Sequence, residues 1–215
     1  PRAAPALHLQ AQARQRAADY YRQYGHCRRM LGEPIAARQW FERALDLRRD
    51  LAGDDAGVAE AMIELAMLES DAARTSAAIA QFMAARDLVL ARLGQRHPLL
   101  VDIRRNLAAL ELDRGQAGDA EASLQPALEL ALDLRGPLHP ATLAVRRQLG
   151  LAWLQQGRLD PAERELRAQH ASTANALGQD HRATAQRLHP LRRLPPERGD
   201  PPPAPARHDD LALIH

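Results

Sequence analysis

The sequence predicts an all-α fold, a right-handed α-solenoid of antiparallel helix pairs with about four repeats. Three observations predict it. The first is a spacing: Gly94, Gly136 and Gly178 lie 42 residues apart, and so do His97, His139 and His181. The second is composition, since 46% of residues are hydrophobic but only 3% are aromatic. The apolar content is therefore mostly Ala and Leu, which suit helices and not β-sandwiches or barrels. The third is apolar residues at three- and four-residue spacing between the glycines, as in Ile103, Leu107, Ala108 and Leu110.

Taken in order, residues 1–16 form an N-terminal extension expected to be helical, residues 17–189 the repeat array, and residues 190–215 a Pro-rich tail. The first unit carries Tyr24-Gly25, Gly32, Glu33-Pro34, Ala37 and Phe41. The second places Leu65-Ala66, Ala73, Ala78 and Phe82 in the same slots, after a degenerate linker at Leu51-Ala52-Gly53-Asp54-Asp55. The third follows the linker Leu93-Gly94-Gln95-Arg96-His97-Pro98 with Leu107-Ala108, Gly115, Ala120 and Leu124. The fourth follows Arg135-Gly136-Pro137-Leu138-His139-Pro140 with Leu149-Gly150, Gly157, Ala162 and Leu166.

Each slot has a physical reason. Gly115 and Gly157 suit a helix C-terminus, where positive φ is needed. Asp160-Pro161 reads as an N-cap followed by proline in the first turn, and Glu33-Pro34 as a weaker version of the same signal. The small residues at Ala37, Ala78, Ala120 and Ala162 let paired helices approach, and Phe41, Phe82, Leu124 and Leu166 fill the space one turn later. Pro126 lies inside a helix and is expected to remove a hydrogen bond and kink it. A further linker, Leu177-Gly178-Gln179-Asp180-His181-Arg182, introduces a capping helix expected over 180–189. Beyond it, Pro195 to Pro205 is low-complexity and expected to be disordered or polyproline-like.

Leu149-Gly150-x-x-Trp153, then Gly157, then Ala162-x-x-x-Leu166, resembles the tetratricopeptide pattern of Leu-Gly, an aromatic, and Ala followed by an aromatic. The 42-residue period with its Leu-Gly-x-x-His-Pro linker resembles the kinesin-light-chain type of that repeat, from about Ala17 to Leu188. The resemblance implies a scaffold for protein–protein interaction with no catalytic residues and no cofactor. It departs from the family in lacking the proline that often ends the second helix. It also implies backbone contacts from an asparagine on the first helix. Asn106 matches, whereas Gln23, Glu64 and Gln148 occupy that slot elsewhere.

Several chemistries are excluded or disfavoured. All 29 basic residues are arginine, set against 27 acids for a net charge of +2. They alternate with acids, as in Glu163-Arg164-Glu165, so they read as solvated helix faces more than a nucleic-acid surface. The lone Cys27 forms no internal disulfide and reads as a packed or partly exposed residue. No apolar run is long enough to span a bilayer. Equivalent histidines in stacked repeats lie about 8–10 Å apart, too far to share one zinc ion. His97, His139 and His181 are therefore assigned to turns and no metal is expected. The remaining histidines show no ligand spacing, and no phosphate loop or nucleophile elbow is present.

A partner is expected in the concave groove lined by the first helix of each pair. Helical spacing selects Arg22, His26 and Arg29 from the first unit and Ile63 and Met67 from the second. Arg105 and Asn106 follow from the third, and Arg147 and Leu151 from the fourth. Arginines interleaved with apolar side chains favour an acidic protein or peptide, because a guanidinium engages a carboxylate through two hydrogen bonds. The opposing reading pairs those arginines with Asp19 and Asp102. No small-molecule substrate is expected, and nucleic acid is the alternative partner. Trp153 is assigned to the core, and Trp40 to the repeat interface or a binding anchor.

Arginine without lysine in an Ala/Leu/Pro-rich chain fits a GC-rich bacterial genome. Arrays of this type resemble those attached to bacterial signalling kinases and transcription regulators. The chain starts at Pro1, so it reads as part of a longer protein, cytoplasmic unless its parent is membrane-anchored.

Overall fold

In the computed structural model, which describes residues 3–51 and 53–177, the chain forms eight helices in four antiparallel pairs. The first pair is α1 (Ala3–Met30) and α2 (Pro34–Arg49), and the second is α3 (Asp55–Asp71) and α4 (Thr75–Arg92). Then come α5 (Leu99–Asp113) with α6 (Ala117–Arg135), and α7 (Pro140–Gln155) with α8 (Leu159–Leu177). Each helix packs on its partner, α2, α4 and α6 pack on the first helix of the next pair, and α5 also touches both α3 and α7. That stacking is the solenoid predicted from the 42-residue spacing. The linker at Gly178–Arg182, the capping helix and the Pro-rich tail lie outside the described residues.

The four turns between paired helices share one hydrogen-bond pattern. In the first, Gly32 N–H donates to Arg29 O and Glu33 N–H donates to Arg28 O. The same pair of bonds recurs at Ala73 and Arg74, at Gly115 and Gln116, and at Gly157 and Arg158. This is the Schellman arrangement, which satisfies the last helical carbonyls and requires a left-handed residue at its centre. Glycine supplies it at φ 74°, 72° and 74°, whereas Ala73 is forced to φ 56°.

The core forms where small and large slots meet. Ala37, Ala78, Ala120 and Ala162 are all fully buried, and so are Phe41, Phe82, Leu124 and Leu166, to within 2%. Gly25 explains the glycine of the Leu-Gly signature. A Cβ there would lie 2.6 Å from the Phe41 ring, and one on Gly150 would lie 2.9 Å from Leu166. In the middle units the same slot admits one methyl group, as Ala66 and Ala108, both fully buried.

The linkers behave as their residues require. Leu99 N–H donates to His97 Nδ1 at 3.3 Å, and Ala141 N–H donates to His139 Nδ1 at 3.1 Å. His139 is the N-cap of α7, with Pro140 in the first turn. Both histidines thus hold turns. One expectation shifts in detail. Helix α8 begins at Leu159, so Asp160 lies in its first turn and favours the positive end of the helix dipole without being the cap. Helix α6 includes Pro126 and runs from Ala117 to Arg135. Residues 3–16 are helical, as the first half of α1.

Candidate functional site

The groove face is assembled from α1, α3, α5 and α7, and its two halves differ. On α1, Arg22, His26 and Arg29 fall on one stripe and meet carboxylates of α3. Arg22 Nε lies 3.7 Å from Glu60, His26 Nε2 lies 3.0 Å from Glu64 and Arg29 Nε lies 2.6 Å from Asp71. Arg29 also reaches Met67 Sδ at 4.0 Å. These three side chains are thus partnered across the repeat interface. The carboxylates are not Asp19 and Asp102, which contact Arg48 and Arg135 instead.

Glu64 is the electrostatic centre of this half. Burial pushes its carboxyl above the usual range, against the lowering pull of His26, Arg22 and Arg29. Its Oε2 is buried and accepts no hydrogen bond. Ile63, expected beside it in the groove, is only 7% exposed and packs in the core with residues of α4 and α5. The reason is positional: α3 is covered by α2, α4 and α5, so few of its faces reach solvent. Met67 is half-buried against the same core.

Between α5 and α7 the groove opens into a cleft of about 460 Å³. Ala109, Leu112 and Asp113 line it from α5, and Arg147, Gln148, Leu151, Leu154 and Gln155 from α7. Leu159, 43% exposed, contributes from the start of α8. Gln155 is fixed by donating to Leu112 O at 3.3 Å. Gln148, in the slot matching Asn106, keeps a buried Oε1 with no donor. Arg147 and Leu151 both line this cleft. Arg105 and Asn106 sit half-buried on the same helix as Ala109 but outside the cleft lining. A second hollow of about 540 Å³ lies between α4 and α6. There Arg96 pairs with Asp133, so its charge is internally compensated.

Three polar groups of the array were not legible as motifs. Glu121 of α6 accepts hydrogen bonds from Trp153 Nε1 (2.7 Å), Gln156 (2.9 Å) and Arg158 (2.9 Å). Burial disfavours its charge, but these donors and the Arg158 guanidinium together hold its carboxyl below the usual range. Arg48, 5% exposed, is buried over Gly57 and pairs with Asp19 and Asp54. Thr142, fully buried, donates to Gly136 O at 2.8 Å and fixes the linker before α7. The tryptophans are also placed. Trp153 is half-buried against the core, and Trp40 packs on Tyr21 and Tyr24 at 5.3 and 4.8 Å within the first helix pair.

Comparison with known proteins accords with this geometry. The family model described as "Tetratricopeptide repeat" matches residues 15–91 and 99–168. No curated protein matches the sequence. Among solved structures, BtubC (BKLC) from P. vanneervenii superposes with a TM-score of 0.70 at 18% identity, covering 85% of this chain and 80% of that one. A Podosopora anserina putative kinesin light chain with nearly identical TPR-like repeats gives 0.69 at 18% identity, covering 83% and 84%. The apo form of RapI gives 0.67 at 14% identity, covering 75% and 57%. At these identities the likeness is one of fold. With its family model matched over most of its length, the chain belongs to the tetratricopeptide repeat family, here with a 42-residue spacing.

Proposed function

We propose that this chain is a non-catalytic docking module that holds an extended peptide in its groove, chiefly at the cleft between α5 and α7. The observation that carries the reading is the cleft itself: apolar side chains from three helices surround a buried, donor-less Gln148 Oε1 beside Arg147. A peptide could complement that lining. Its apolar side chain would cover Leu112, Leu151 and Leu154, a backbone N–H would reach Gln148, and a carboxylate would meet Arg147.

The self-paired cations of α1 narrow the earlier groove. An acidic ligand at Arg22 or Arg29 would have to displace Glu60 or Asp71, whereas the α5–α7 cleft imposes no such exchange on its apolar contacts. The same pairing weighs against nucleic acid, since phosphates would compete with carboxylates already in place. In a larger bacterial regulatory protein, such a module would serve as the docking or sensor part.

Panning a random peptide library against the full chain tests this. The expected consensus is an acid next to two or more apolar residues, with binding lost in a variant carrying Arg147→Glu and Leu154→Glu. A consensus that binds this variant unchanged would refute the cleft assignment.

A further inference from the structure

We propose that the α5–α7 cleft is occupied in the intact chain by the chain's own segment Asp209-Asp210-Leu211-Ala212-Leu213-Ile214, which competes with outside ligands. The proposal rests on the peptide-groove reading and names the first occupant of that site.

The apolar part of the lining and Arg147 have counterparts in this segment. After Leu177, this is the one stretch in which two acids precede four consecutive apolar residues. The cleft sets Arg147 beside Leu151, Leu154, Leu112 and Leu159, with Asp113 also in its lining. Asp209 and Asp210 would meet the guanidinium, and Leu211, Leu213 and Ile214 would cover the leucines. Residues 195–208, immediately before this segment, carry prolines at 195, 196, 201–203 and 205 and no long apolar side chain.

The spacing also fits. The cleft touches Leu159 at the start of α8, and the tail departs after Leu177 at its end. The span to cover is one 19-residue helix, about 28 Å at 1.5 Å per residue. From Leu177 to Asp209 the chain runs 32 residues (209 − 177). With the helix expected over 180–189 spanning about 15 Å, and the remaining stretch to Asp209 reaching about 25 Å r.m.s. if it behaves as a coil, the two together can cover that span. Tethering is most effective when linker length matches the span, with effective concentrations of order 1 mM. A segment that binds in trans with a dissociation constant of about 0.1 mM would then fill roughly ten cleft sites in eleven. It would weaken a competing peptide about tenfold.

Two experiments on the full chain test this. In the first, Ala212 is replaced by the photo-crosslinker p-benzoylphenylalanine, and crosslinks are mapped by mass spectrometry. Intramolecular links to residues 109–113 and 147–159, with yield unchanged on tenfold dilution, are expected. Links elsewhere, or links only between chains that fall on dilution, would overturn the proposal. In the second, a fluorescent hexapeptide with the sequence of residues 209–214 is titrated into wild type and into a chain carrying Asp209→Arg, Asp210→Arg and Leu213→Asp. The substituted chain should bind about tenfold more tightly, and adding Arg147→Glu and Leu154→Glu should abolish that binding. Equal affinity for both chains, lost with the cleft substitutions, would remove self-occupancy and leave the groove reading intact. No binding to either chain at millimolar peptide would remove self-occupancy. If library panning also yields no consensus, the groove reading falls with it.

Discussion

Replacing Ala73 with glycine should stabilise the protein, and the size of the gain follows from one dihedral angle. Ala73 is the single described non-glycine residue at positive φ, 56°, at the centre of a Schellman turn that uses glycine in the other three units. A left-handed L-residue costs about 1–2 kcal/mol because Cβ crowds the following carbonyl. Glycine removes that cost but adds about 0.4–1 kcal/mol of unfolded-chain entropy. The net gain is about 0.5–1 kcal/mol. A Cβ built on Gly32, Gly115 or Gly157 meets nothing within 4 Å, so the penalty at these turns is local to the backbone. For a chain of this size, 1 kcal/mol moves the midpoint by about 2–4 °C. Thermal and urea denaturation of wild type, Ala73→Gly and the neighbouring control Ala72→Gly would measure it. Ala72 sits at φ −85°, where glycine relieves no strain and should destabilise. Equal or lower stability for Ala73→Gly, or equal gains at both positions, would refute the reasoning.

Other outcomes follow from the same geometry. Gly25→Ala should destabilise by about 1–3 kcal/mol despite alanine's better helix propensity, because the new methyl overpacks the buried Phe41 ring. Urea unfolding checks it, and Gly118→Ala, with open space around its Cβ, is the stabilising control. Glu121→Ala should cost about 1–3 kcal/mol and alter Trp153 fluorescence, since the indole N–H loses its acceptor. In wild type the depressed carboxyls of Glu69, held chiefly by Arg74 and Arg38, and of Glu121 contribute stability that is present above the unfolded-state value near pH 4.3. That contribution is lost as pH falls through their folded-state values. Glu64 has the opposite sign: its raised carboxyl costs stability at neutral pH. Glu64→Gln should therefore stabilise at pH 7 and lose that advantage below about pH 4 in denaturation midpoints.

Much of the fold was legible because the repeat makes the same argument four times. Ala37, Ala78, Ala120 and Ala162 could be assigned to the tight helix contact from spacing alone, and all are fully buried. His97 and His139 could be assigned to turns because stacked repeats hold equivalent side chains apart. The groove was less legible, since helical spacing says which way a residue points but not what faces it. Arg22 and Arg29 point as expected, yet their partners Glu60 and Asp71 lie 38 and 42 positions away on another helix. Ile63 is instead taken into the core, a burial set by how adjacent pairs stack. Glu121 was hidden for a related reason, because its three donors are spread over residues 153–158 of the next unit.

The central claim, that a peptide docks between α5 and α7, is tested most directly by hydrogen–deuterium exchange on the full chain. The ligand is the best library-selected peptide, added at saturation to wild type and to the chain substituted at positions 209, 210 and 213. Slower exchange confined to segments 109–113 and 147–159, larger in the substituted chain, is the predicted result. Protection centred instead on α1 and α3, or on the hollow between α4 and α6, would contradict it.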